Sequence, residues 1–182
     1  MKEIEFLRSA NNELEMYLLS NQLYWHMACP GIGQSPLTPG NLLFTKAIID
    51  GSTLNAFQQG DYERVWQQIE NTRMKWNALW QKKASMEFFA RLRIWENALI
   101  DFIDSRDIPL PHYRNETRGR VILQLLLADT GKKILGGSER LLSMDKNLRL
   151  VFNPGKFIWK SPLEPIFPKE EFWYLYMATG KG

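Results

Sequence analysis

The chain has 182 residues, yet only one cysteine and two histidines. These scarcities exclude several chemistries. An internal disulfide needs two thiols, so this is not a small stapled scaffold. A zinc site usually takes four Cys, His or carboxylate ligands. His26 and Cys29 are three apart, close enough to share a helix face, but His112 is the one further Cys or His in the chain. We therefore expect no metal and no cofactor. A di-iron carboxylate bundle needs Glu-x-x-His on two helices. The residues three before the histidines are Leu23 and Pro109, so that motif is absent.

Phosphate-binding loops are lacking as well. Gly31-x-Gly33 has none of the further glycines of a dinucleotide fingerprint, and Thr130-Gly131-Lys132-Lys133 lacks the upstream glycine and the Lys-Ser/Thr pair of a nucleotide loop. Lys132 and Lys133 read instead as cations at a helix C-terminus, where the dipole favours them. No Gly-x-Ser-x-Gly elbow occurs, and Cys29 with His26 or His112 is the sole Cys–His combination for nucleophilic catalysis. A carboxylate pair such as Glu96 with Asp101 reads as ordinary solvated helix charge before it reads as an acid–base couple. The longest apolar run, Val121–Leu123 followed by Leu125–Ala128, is far too short to span a bilayer. Met1-Lys2-Glu3-Ile4-Glu5 has no apolar core of a signal peptide. The expectation is a cytoplasmic protein with no membrane association.

Aromatic residues are abundant: seven Trp, six Tyr and ten Phe. Large rings fill cores and also anchor interfaces. The net charge of +3 is unevenly spread. Between Arg114 and Arg149 eight cations (Arg114, Arg118, Arg120, Lys132, Lys133, Arg140, Lys146 and Arg149) face four anions. A basic face for nucleic acid is one reading of these eight, with a helix to Asp129 and another from Ser138 forming a helix-turn-helix. Against it, Glu139 and Asp145 interrupt the cations, and the connection over 131–137 is longer than the motif's usual turn. A solvated basic face is the plainer reading.

The patterning is helical. Leu7, Leu14, Tyr17 and Leu18 put a helix over about Glu3–Leu23, with Asn11-Asn12 as an internal cap where it would divide. Thr38-Pro39 reads as an N-cap followed by proline in the first turn. Gly51 ends that helix, and a connection carrying Leu54 and Phe57 leads to Gly60-Asp61. From Asp61 to Ile108 there is no Gly or Pro. Tyr62, Val65, Ile69, Thr72, Trp76, Trp80, Ala84, Phe88, Leu92, Trp95, Leu99 and Phe102 recur about once per turn in unbroken phase, and Leu79, Phe89 and Ile103 widen the stripe. This predicts one long central helix, about 61–104. Its alternative is two helices hinged near Lys82–Ser85. Two further helices follow, one from Pro111 to Asp129 and one after Gly136-Gly137-Ser138.

Beyond Asn153-Pro154-Gly155 the chain becomes aromatic and proline-punctuated. We expect an irregular strap over 154–182 packed on the helices, with a last short helix opening at Pro168. Its rings either cover the core or dock on a partner, and Trp159, Phe167, Phe172, Trp173 and Tyr176 are the candidates for docking. The whole reads as an all-α single domain of about five to six helices. No motif points to a family. The function this suggests is non-enzymatic: a protein-interaction or scaffold module with a protein partner or self-association. The alternatives are a nucleic-acid binder using the 114–149 segment and an enzyme with a carboxylate-based site.

Overall fold

The computed structural model describes residues 1–27, 35–104, 110–131, 134, 136–151 and 153–178. Among these it has six α-helices, two short 3₁₀ turns and one pair of very short strands, so the protein is an all-α bundle carrying a C-terminal strap. The helices are α1 (Lys2–Leu19), α2 (Pro39–Asp50), α3 (Ala56–Lys75), α4 (Asn77–Asp104), α5 (Leu110–Asp129) and α6 (Gly137–Val151). The strands are β1 (Pro154–Phe157) and β2 (Tyr176–Met177). The chain forms two compact units, Met1–Glu87 and Phe88–Gly182, and the boundary falls inside α4.

In the first unit, α1 packs on α2 and α3. Its buried face is Ile4, Leu7, Ala10, Leu14, Tyr17 and Leu18, a 3–4 spacing that keeps one side of a helix turned inward. α1 is continuous through Asn11-Asn12 and ends at Leu19, earlier than the expected Leu23. Thr38 caps α2 as expected, its hydroxyl accepting from the Asn41 N–H at 3.1 Å. The chain between α1 and α2 is pinned by a two-way backbone pair of Trp25 with Leu37. Trp25 also donates its indole N–H to Glu13 and meets the Tyr17 ring edge-on.

The predicted single long helix is corrected in two respects. It starts earlier, at Ala56, because Asn55 and Gln58 form a capping box, each accepting from the other's backbone N–H. Gly60 therefore lies inside the helix. The helix is also interrupted at Trp76, where φ −112° and ψ 33° leave the helical region and divide α3 from α4. No Gly or Pro causes this. Instead Glu15 on α1 accepts both the Lys75 ammonium at 2.8 Å and the Trp76 indole N–H at 3.1 Å, a tertiary anchor at the junction. The alternative hinge at Lys82–Ser85 is not present, since α4 runs straight through it. The apolar phase survives the interruption. Tyr62, Val65, Ile69, Trp80, Ala84, Phe88, Leu92, Trp95, Leu99 and Phe102 are all buried.

In the second unit, Trp95 and Phe102 pack on Tyr113 of α5 at ring separations of 6.5 and 5.3 Å. Arg120 of α5 and Asp145 of α6 form a buried two-pronged ion pair, at 3.0 Å from Nε and 2.6 Å from Nη2. The strap is more ordered than expected. β1 pairs antiparallel with β2, so the strap closes on itself. The register slips between Pro154 and Lys156, and a Cβ at Gly155 would meet the Ala178 backbone nitrogen at 2.3 Å, so only glycine fits there. The expected helix from Pro168 is absent. Turns, a 3₁₀ turn at Trp173–Leu175 and β2 take its place.

Candidate functional site

The five strap aromatics singled out for docking are mostly turned inward. Phe167, Phe172 and Tyr176 are buried, while Trp159 and Trp173 are half-buried. Phe167 meets Trp159 and Phe172 edge-on at 5.3 and 5.1 Å. The Tyr176 hydroxyl donates to the Phe167 carbonyl at 2.9 Å. The Trp159 indole N–H reaches the Thr117 hydroxyl at 3.1 Å, and the Tyr113 hydroxyl donates to the Tyr174 carbonyl at 2.7 Å. These contacts fasten the strap onto α5. Phe167, Phe172 and Tyr176 thus serve as core cover, while Trp159 and Trp173 keep part of their rings exposed.

Of the basic candidates among the described residues, three are engaged within the chain. Arg120 is buried against Asp145, with its guanidinium 4.4 Å from the Tyr174 ring. Arg140 is paired with Glu96 on α4. Arg149 lies 3.8 Å over the Trp173 ring. Arg114 and Lys146 are exposed and Arg118 half-buried. Nine residues separate Arg140 from Arg149, about half a circle round α6 at 3.6 residues per turn. Lys132 and Lys133 lie outside the described residues, as does Cys29. His26 and His112 are exposed, and the His112 ring lies 5.4 Å from Phe102. Among the described residues no three His, Cys, Asp or Glu side chains are grouped to hold a metal ion, and no helix is long and apolar enough to cross a membrane.

Two polar features were not legible beforehand. The first is a pair one turn apart on α4, Lys83 and Glu87, both buried. Glu87 accepts the Thr38 hydroxyl and the Gly40 N–H, each at 2.7 Å, at the N-terminus of α2. Lys83 donates to the Gln22 carbonyl just past the C-terminus of α1, and its ammonium lies 4.5 Å from the Tyr17 ring. Each charge thus sits at the helix end whose dipole favours it. Burial, and then the neighbouring Lys82, lower the Lys83 pKa, and burial foremost, then Glu87, raises that of Tyr17. The partners are helix ends, so the pair ties α1, α2 and α4 together. The second is the Trp95 indole N–H, buried without an acceptor among the described residues. Trp95 borders a cleft of about 170 Å³ with Arg91, Asn115, Arg118 and Gly119. That is smaller than the roughly 300 Å³ at which ligand pockets begin. Glu96 and Asp101 do not form a couple either. Five positions apart, they point about 140° from each other round α4.

What remains is the outward side of α4. Phe88, Leu92, Trp95, Leu99 and Phe102 form its buried seam. One residue after each comes a second seam with the same 4-3-4-3 spacing: Phe89, Arg93, Glu96, Ile100 and Ile103. Phe89 is 39% exposed, Ile100 53% and Ile103 42%. Phe89 and Ile103, expected to widen the core stripe, instead face solvent. The signal that would have separated the two seams is this doubling of the heptad pattern, since one helix side cannot bury both. No family model, curated protein or solved structure matches the chain.

Proposed function

We propose that the protein is a non-enzymatic interaction module whose docking surface is the outward seam of α4. The observation that carries this reading is the exposure of Phe89, Ile100 and Ile103 in coiled-coil spacing on a helix whose neighbouring seam, about 100° round, is already buried. Large apolar side chains aligned on one exposed helix face are the anchors of helix-to-helix recognition. Single exposed apolar residues need no explanation, but an aligned row of them does. The nucleic-acid alternative loses support from the internal pairing of Arg120, Arg140 and Arg149.

The test is a photo-crosslinking amino acid placed at position 100, with position 94 as the control. Ile94 is equally exposed, at 55%, but lies off the seam. In native cells, position 100 is expected to yield a discrete protein adduct and position 94 none. Ile100→Lys should leave the melting temperature unchanged and weaken partner binding. Adducts from both positions alike, or from neither, would overturn the reading.

A further inference from the structure

We propose that the occupant of this face is a second copy of the chain, lying antiparallel across it about a two-fold axis that passes between Arg93 and Glu96. The inference rests on the reading of α4 as an interaction surface and names its partner. In a two-fold contact, residue i of one copy meets j of the other, and j meets i. With the axis between positions 93 and 96, Arg93 faces the partner copy's Glu96, and Glu96 faces its Arg93. The same operation sets Phe89 against the other copy's Ile100. Every layer from 89 to 100 is thereby complementary, apolar on apolar or cation on anion. A parallel pairing in register would stack Arg93 on Arg93 and Glu96 on Glu96, which like-charge repulsion disfavours. The 4-3-4-3 spacing is what keeps such a seam facing its mate along the helix.

Within each chain Arg140 already donates to Oε2 of Glu96, which holds that carboxylate at the edge of the seam. In the pair, Oε1 accepts from the other copy's Arg93. From Phe89 to Ile100, the layers that the two-fold pairs, the seam spans about 16 Å at 1.5 Å per residue. A contact of this length is at the small end of specific interfaces, so the dimer is reversible and concentration-dependent.

The experiment measures oligomeric state by sedimentation over a dilution series of the full chain. The wild type should show a monomer–dimer equilibrium. R93E sets two carboxylates against each other, the introduced one and that of Glu96, twice per dimer, and should weaken association at least tenfold. E96R sets the introduced guanidinium against that of Arg93 and should do the same. E96R is paired with R140E, so that the intrachain ion pair persists with its signs exchanged and the fold is preserved. The decisive sample is an equimolar mixture of R93E with E96R/R140E. In the mixed dimer the carboxylate introduced at position 93 meets the guanidinium introduced at position 96, and the remaining Arg93 meets the remaining Glu96. Dimerisation should then return to near the wild-type level. A folding defect could not be rescued by mixing. If each variant melts like the wild type but the mixture stays monomeric, the proposal is overturned. It is equally overturned if the wild type is monomeric at every concentration. In that case an adduct from position 100 with a mass other than twice the chain would keep the interaction reading and discard the second copy. The absence of any adduct would discard both.

Discussion

At the scale of single residues, burial and pairing decide what a substitution does. Trp80 is fully buried at the point where the stripe resumes after Trp76. Trp80→Ala should cost about 3–5 kcal/mol, read from chemical denaturation. Trp76→Asp, which the apolar stripe alone would rank as equally damaging, should cost less, since Trp76 is half-buried; what it does cost comes from losing the N–H bond to Glu15 and setting a second carboxylate beside that one. Arg120→Ala should leave the Asp145 carboxylate buried without its partner, at about 3–5 kcal/mol. Arg120→Met combined with Asp145→Leu should recover most of that loss in the same measurement, because no charge is then stranded.

The acid limb of stability has an identifiable contributor. Asp61 is buried and accepts from Arg8 and from Arg64, the latter at 2.8 Å. The hydrogen bond from Arg8 foremost, aided by Arg64 and by both positive charges, holds its carboxyl below the usual carboxylate range. The unfolded chain, with its ordinary value of about 3.9, takes up the proton first as pH falls. The stabilisation is therefore complete above about pH 5 and disappears as pH drops through the folded-state value. Asp61→Asn should flatten this part of the stability–pH curve and leave neutral-pH titrations of other groups untouched. An unchanged acid limb would show that other carboxylates dominate it.

At the scale of elements, α4 and the strap make opposite use of the same residue types. Both are rich in large apolar side chains. α4, with no proline, is a regular helix that exposes whichever row its neighbours do not cover. The strap has Pro154, Pro162, Pro165 and Pro168, and so cannot be a continuous helix. Its chain folds back through β1 and β2 and carries Tyr174 onto α5, with Phe172 stacked edge-on against Tyr174 and Phe167 against Phe172. Truncation after Pro154 should abolish the cooperative melting transition, because each buried Phe contributes roughly 1.5–3 kcal/mol. Removing only Thr179–Gly182, which lie outside the described residues, should leave melting unchanged. Gly155→Val should also lower the melting temperature, since its side chain would collide with the Ala178 backbone.

At the scale of the whole molecule, net charge and usable charge differ. The formal +3 and the eight cations over 114–149 suggest affinity for phosphate backbones. Three of those cations are committed to Asp145, Glu96 and the Trp173 ring. Binding to a mixed-sequence duplex near physiological salt should be no tighter than the non-specific range of about 10⁻⁴–10⁻⁶ M. Fluorescence anisotropy would check this, and nanomolar binding would restore the nucleic-acid reading.

Local rules were sufficient where a segment's partners lie close in sequence. The caps at Thr38 and Asn55, the apolar stripe from Tyr62 to Phe102 and the proline-blocked strap all depend on residues within a turn or two, so spacing alone determined an all-α chain with a non-helical tail. Even there one local signal, the Asn55–Gln58 capping box, outweighed the expectation that the connection runs as far as Gly60. Tertiary structure decided the rest. Glu15, some sixty residues away, set the interruption at Trp76. α5 and α6 removed Arg120 and Asp145 from the surface, and α5 received the strap's rings. Whether Phe89 and Ile103 were core or surface depended on how many neighbours reached that side of α4. A helical period records which residues share a face, but not how wide a face the rest of the chain has enough surface to cover.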